Sequence, residues 1–256
     1  MTALTRMLAL GRAELTLLGR NRLALYTALL MPPVMAWALR NGIGGLDGLD
    51  LDKAGMSLDE MAMTAGFGFV LLFVVHQNLV SAYVARREEL VLKRLRSGEA
   101  RDPEILAGTA LPAVLISVAQ CALLAVVGVT RLGIRAPARP DLVSAGLVLG
   151  IVVCAALAAA TSAWARSVES AQLVTLPLFL VSFMGSGMAV PLELLPGPVA
   201  SVCELLPLSP VVALLRGGWL GGMGAYEAVG QMMTALAWTG VAVFAVNRWF
   251  RWEPRR

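Results

Sequence analysis

The sequence predicts an all-α integral membrane protein. Six transmembrane helices run N-in/C-in, with an amphipathic interfacial helix at the N-terminus, a short cytoplasmic helix between spans 2 and 3, and an extracytoplasmic re-entrant helical pair between spans 5 and 6. Three observations carry this prediction. The 256 residues are 58% hydrophobic and 15% charged, with a mean hydropathy of +0.74. At about 1.5 Å of rise per residue and about 20 residues per crossing, such a chain holds roughly six spans and little else. Six stretches free of Asp, Glu, Lys and Arg have that length: residues 23–39, 61–85, 105–130, 142–165, 171–190 and 228–247. The composition excludes a large soluble catalytic domain, and a net charge of +4 is too mild for a nucleic-acid binder.

Residues 1–22 precede the first crossing. Leu4, Met7, Leu8, Leu15 and Leu18 share one helical face, with Arg6, Arg12 and Glu14 largely elsewhere. That pattern predicts a helix lying along the interface, the alternative being a solvated leader. No Ala-x-Ala cleavage site follows, so the chain is expected to be unprocessed. Before the second span, Ser57 and Glu60 have capping-box spacing. Residues 86–104 are the most charged stretch. Val84, Val91, Leu92 and Leu95 can share a face, Glu89 and Lys93 stand at i,i+4, and Gly98 allows a stop. Asp102, Pro103 and Glu104 then supply an N-cap, a first-turn proline and an acid for the third span. This stretch is either a short amphipathic helix able to dock a cytoplasmic protein or a loop that only enforces topology. Pro112 and Pro177 are expected to kink spans 3 and 5.

Residues 191–222 hold Pro191, Pro196, Pro198, Pro207 and Pro210 among apolar residues. The segment is too apolar for a solvent loop and too broken to cross as one helix. Two short helices that dip into the outer leaflet and return fit best, with Glu193 and Glu204 near the outer surface. A seventh crossing over Val199 to Leu215 is the competing reading, disfavoured by Glu204 and two internal prolines.

Orientation follows from the positive charges. Arg6, Arg12, Arg20 and Arg22 precede span 1. Arg86, Arg87, Lys93, Arg94, Arg96 and Arg101 fill the connection after span 2, Arg166 follows span 4, and Arg248, Arg251, Arg255 and Arg256 form the tail. The other side has only Arg40, Lys53, Arg131, Arg135, Arg139 and Arg216. The excess places both termini in the cytoplasm, with Trp249 and Trp252 as interfacial anchors.

Catalytic and metal-binding signatures are missing from the sequence. His76 is the single histidine, no acid lies within a span, and Cys121, Cys154 and Cys203 show no paired spacing. Gly185-Ser186-Gly187 lacks the G-x-S-x-G spacing of a nucleophile turn, and neither lysine follows a glycine as a P-loop requires. No catalytic residue, no metal site and no bound cofactor are therefore expected. His76, Gln77 and Asn78 form a dense polar cluster within a span, with Gln120 and Gln231 as candidate partners. Such groups either glue helices together or line a wet path.

Arg20-Asn21-Arg22-Leu23, continuing to Met31-Pro32-Pro33, and Arg87-Glu88-Glu89-Leu90-Val91-Leu92-Lys93-Arg94-Leu95-Arg96, running on to Glu104-Ile105-Leu106-Ala107-Gly108, resemble stretches of the ABC-2 type transporter permease family. The second is similar to that family's Arg-Glu-x-Gly-Thr-Leu-x-Arg-Leu, followed by Glu-Ile-Leu-x-Gly-Lys. Leu195-Pro196-Gly197 and Leu206-Pro207-Leu208-Ser209-Pro210, followed by Arg216, resemble its outer re-entrant helices. Departures are Leu90-Val91 for Gly-Thr, Glu99 for a common proline and Thr109 for a frequent lysine.

The resemblance implies the membrane subunit of a bacterial ABC exporter in the cell membrane, with the drug-export type most similar. Two permease copies or paralogues would pair, each on a separate cytoplasmic ABC ATPase that holds ATP and Mg. Residues 86–104 would be the coupling segment, with Arg87, Glu88, Glu89, Lys93, Arg94 and Arg96 meeting the ATPase. Residues 191–222 would be the re-entrant cap, with Glu193, Glu204, Pro207 and Pro210. The cargo would be hydrophobic or amphipathic: a drug, a natural product or a lipid-linked molecule. A non-transporting scaffold or immunity protein is the alternative. A secondary transporter is disfavoured by the missing intramembrane acid and by the lack of an internal repeat.

Overall fold

The computed structural model describes residues 3–20, 22–43, 51, 53–98 and 101–253. Thr2, Asn21, Glu99, Arg255 and Arg256 lie outside the described residues, as do the side chains of Leu4, Arg6, Leu8, Leu18, Arg20 and Arg22.

Every element among the described residues is helical: α1 Ala3–Arg20, α2 Arg22–Ile43, α3 Leu58–Phe69, a π-helical segment Val70–Gln77, α4 Asn78–Glu88, α5 Val91–Arg96, α6 Asp102–Arg131, α7 Pro140–Ser162, α8 Val168–Gly185, a 3-10 turn Leu192–Leu194, α9 Gly197–Glu204, α10 Ser209–Leu220 and α11 Ala225–Trp249. Among the described residues five helices are long and apolar enough to cross a membrane: Leu58–Glu88, α6, α7, α8 and α11. The expected first crossing coincides with α2, which contains Pro32 and Pro33 and is not among those five. Helices α9 and α10 are apolar enough as a pair but meet at 99°, so residues 199–215 do not form one straight helix.

Local chemistry sets the boundaries. At the start of α3, the Ser57 N–H donates to Glu60 Oε2 at 2.8 Å and the Glu60 N–H to Ser57 Oγ at 3.3 Å, the reciprocal box its spacing predicts. The cap of α6 falls one residue before the expected Asp102: Arg101 is the N-cap, and its N–H donates to Glu104 Oε2 at 3.3 Å. Asp102 becomes the first helical residue, where an acid still faces the positive helix end. Helix α8 ends at Gly185, earlier than the predicted 190, because the chain turns at Gly187, whose φ of 74° lies in the left-handed region.

The helix pair α3–α4, joined through the π segment, is the centre of the bundle. Val70, Leu71, Leu72, Val74, Val75, Leu79, Val80 and Val84 are all buried. Outer helices show the opposite pattern: Leu173 of α8 is 73% exposed and Phe244 of α11 65%. A protein that buries its centre and turns leucine and phenylalanine outward is packed for a hydrocarbon solvent.

Close approaches fix two crossings. A Cβ on Gly11 of α1 would lie 2.8 Å from Leu111 Cβ, and one on Gly108 of α6 2.8 Å from Leu10 Cβ, so α1 lies directly on α6. Gly146, Gly150 and Gly218 bring α7 and α10 together in the same way, as small-xxx-small interfaces do. The register of that crossing locates α10. Gly218 meets Val143, Gly146 meets Leu214 and Leu215, and Gly150 meets Val211. Helix α10 thus starts about 15 Å down α7, roughly half a bilayer, and climbs back to the α6–α7 loop. There the Ala138 N–H donates to Trp219 O at 3.1 Å and the Arg139 N–H to Gly218 O at 2.8 Å. The turn between α9 and α10 is held at depth by Trp238, whose Nε1–H donates to Leu205 O at 2.8 Å. Helix α10 therefore runs inside the bundle from the middle of α7 back to the α6–α7 loop, while α9, with no buried residue, stays at the periphery.

Candidate functional site

The charged stretch after α4 breaks at Leu90 and continues as one short helix, α5. Helix α4 closes with the Glu89 N–H bonded to Ala85 O, and Leu90 then adopts φ 58° and ψ 15° before α5 begins at Val91. A leucine in the left-handed region costs roughly 1–2 kcal/mol. It stands at the position where the resembling motif has glycine. The break also corrects one expectation. Glu89 and Lys93 do not pair at i,i+4, because they lie on opposite sides of Leu90. Glu89 instead accepts from Arg86 Nη1 at 2.7 Å, and Lys93 reaches Glu253 of the tail at 3.0 Å.

The six residues expected on the coupling surface divide by exposure. Glu88, Glu89, Lys93, Arg94 and Arg96 are exposed. Arg87 is 3% exposed and points inward. Its guanidinium donates to Ser162 O at 3.0 Å and to Ala165 O, capping the carbonyl end of α7, where a cation also meets the negative helix end. Arg96 pairs with Asp102 at 3.3 Å and lies 4.9 Å over the Trp252 ring. Leu92 is fully buried and anchors α5, and Tyr83 Oη donates to Leu106 O at 3.0 Å just above it.

Glu14 was not singled out by sequence. From α1 it accepts both Arg86 Nε and Arg86 Nη2 at 2.7 Å, a bidentate pair with each side chain only 16% exposed. The pair ties α1 to the end of α4. One acid on the polar face of an 18-residue helix carries no sign of this partner 72 positions away, so periodicity could not reveal it.

The polar groups inside the bundle do not converge. His76 is buried, with Nε2 3.4 Å from Thr161 Oγ1 of α7, a helix-to-helix contact. Gln77 and Asn78 are half-buried. Gln120 does not join them: its Nε2 donates to Leu29 O of α2 at 2.7 Å. That carbonyl is four residues before Pro33, which has no N–H to offer it. Gln231 is half-buried on α11, with no hydrogen bond to the cluster among the described residues. Among the described residues no three of His, Cys, Asp and Glu lie together as a metal would need.

Pro207 and Pro210 are buried at the turn into α10, and Glu204, exposed beside that turn, stands about halfway down α7 rather than near the outer surface where it was expected, while Glu193 is exposed beyond the end of α8. Arg216, 9% exposed, reaches back from α10, donating to Gly187 O and lying 3.4 Å from Glu193 Oε2. It holds α10 against the end of α8.

Two comparisons bear on these features. The sequence model of the family described as ABC-2 type transporter matches residues 5–220, which takes in most of α1, the charged segment broken at Leu90 and the α9–α10 pair. No curated protein matches the chain.

Proposed function

The chain belongs to the ABC-2 type transporter family, as a membrane-embedded permease subunit, and on that premise we propose that it exports a hydrophobic or amphipathic molecule from the cytoplasm by coupling to a separate ABC ATPase. ATP and Mg are held by that partner, and two permease copies or paralogues form the working unit in a bacterial cell membrane. The observation that carries the reading is the break at Leu90. It projects Glu88, Leu90 and Arg94 as an exposed apolar and charged tip, while Leu92 and Arg87 anchor the segment from behind. Motion imposed on the tip passes along two rigid connections: α4 into the bundle centre, and Arg86–Glu14 into α1.

Co-purification in mild detergent with a co-expressed ABC ATPase subunit tests the reading. We expect a stoichiometric complex whose ATP turnover responds to cargo. The double reversal Glu88→Arg with Arg94→Glu should lower that response about tenfold while leaving membrane insertion and basal turnover in place. A chain that never captures an ATPase, or a reversal that transports normally, overturns the proposal and favours a non-transporting scaffold.

A further inference from the structure

At the end of the bundle that carries α1 and α5, helices α7 and α11 meet at a pair of indoles. The rings of Trp164, just past α7, and Trp249, the last residue of α11, lie 6.2 Å apart, and Phe244 stands edge-on to Trp249 at 6.3 Å. All three are more than half exposed. Trp252, expected beside Trp249 as an anchor, turns instead onto Arg96, its ring 4.9 Å from that guanidinium.

A hollow between the two helix ends is walled by these indoles and by Arg248 and Arg251. Both arginines are exposed, and among the described residues neither guanidinium has a hydrogen bond or an ion pair. No acid lines the hollow. Glu169, at the start of α8, faces Ser167, and Glu253 is paired with Lys93. Arg166, two residues beyond Trp164, adds a third exposed cation. By contrast, Arg86 and Arg96 at this end are already paired with acids.

The helix face below these cations sets what can reach them. Met233, Val241, Phe244 and Arg248 fall within about 80° around α11, at about 100° per residue. The three apolar side chains of that stripe are exposed. From Arg248 back to Met233 the stripe runs about 22 Å, more than the roughly 15 Å depth of one leaflet. A ligand that satisfies the guanidiniums must therefore also border hydrocarbon, as a lipid does and as a free anion or a water-soluble protein does not. Guanidinium forks match phosphate oxygens, and indoles favour the level between head groups and chains. A phosphatidylcholine head would bring its own ammonium to a hollow with no acid to receive it, so a net negative head is selected.

We propose that this hollow binds the head group of an anionic phospholipid, its phosphate between Arg248 and Arg251, its glycerol against Trp164 and Trp249, and its chains along the Phe244 stripe. The proposal needs a membrane-embedded chain and does not rest on ATPase coupling.

Native mass spectrometry of the full chain, released from nanodiscs of mixed phosphatidylglycerol and phosphatidylcholine, counts the lipid it keeps. One phosphatidylglycerol per chain should be retained with about tenfold preference over phosphatidylcholine. Arg248→Gln with Arg251→Gln should remove most of that preference. Arg12→Gln with Arg94→Gln deletes two exposed cations at the same end but outside the hollow, and should leave the preference within about twofold. If the first double variant does not fold, Arg251→Gln alone, beyond the end of α11, decides the matter by lowering the preference about threefold. Equal losses in the two double variants would reduce the effect to diffuse surface charge and overturn the site. Displacement of the lipid by inorganic phosphate overturns it as well, since a free anion would then suffice. An unchanged lipid preference in Arg248→Gln with Arg251→Gln, together with lost ATPase capture, would give the surface to a protein partner and overturn the proposal.

Discussion

Pro33 has no N–H for the Leu29 carbonyl four residues back, and Gln120 of α6 donates to that carbonyl instead. In hydrocarbon a bare carbonyl has no water to turn to, so this one amide joins a helix defect to a neighbouring helix. Gln120→Leu is expected to cost about 1 kcal/mol in thermal unfolding, and much less in a Pro33→Ala background, where α2 supplies its own donor. Equal costs in both backgrounds would show that Gln120 acts elsewhere. Leu90 is a second local exception. Glycine at this position removes the left-handed penalty, so Leu90→Gly should stabilise the chain by about 1 kcal/mol, and Leu90→Val should destabilise it. Thermal midpoints of the two variants should fall on opposite sides of the native chain. The sequence marks both places, as a proline pair and as a departure from a glycine-bearing motif. It names neither the partner of Pro33 nor the conformation of Leu90.

Helix positions, by contrast, were largely readable, because an uncharged run of about 20 residues has few ways to satisfy its backbone in a membrane. How the helices cross was not. Gly146 and Gly150 are four residues apart on α7, but only the fold shows that α10 is what they admit. A Cβ on Gly218 would come within 2.8 Å of the Val143 backbone N, whereas one on Gly240 of α11 would meet nothing within 4 Å. Gly218→Ala should therefore destabilise by about 1–3 kcal/mol through overpacking against backbone. Gly240→Ala should stabilise by up to about 1 kcal/mol through helix propensity. Chemical denaturation of the two single variants checks the contrast, and a tolerant Gly218→Ala would put the α7–α10 crossing in doubt. The charged segment shows the same division. Its existence and its stop at Gly98 follow from residue types, but the Glu89–Lys93 pairing failed because a left-handed leucine splits the helix that pairing assumed.

Across the whole molecule the charges divide by end. Arg86, Lys93, Arg94 and Arg96 gather at the end with α1 and α5, while Asp59 and Asp141 open α3 and α7 at the other end. On the positive-inside bias, a cysteine at Arg94 in a background without the native thiols should react with an impermeant maleimide only in inverted vesicles. A cysteine at Asp141, exposed at the start of α7, should react only from the outside of intact cells, and labelling of both from one side would overturn the topology. By itself the sequence determined the class and the places of the five long apolar helices, since each depends on local composition and on the solvent a segment requires. Only the tertiary structure decided that Arg87 caps α7 while Glu88 and Arg94 face outward, that Glu14 holds Arg86, that Gln120 serves a proline-freed carbonyl, and that α10 returns from mid-depth. Those outcomes depend on which helix faces which, set by close approach over distances of tens of residues, and a single chain's periodicity carries no record of it.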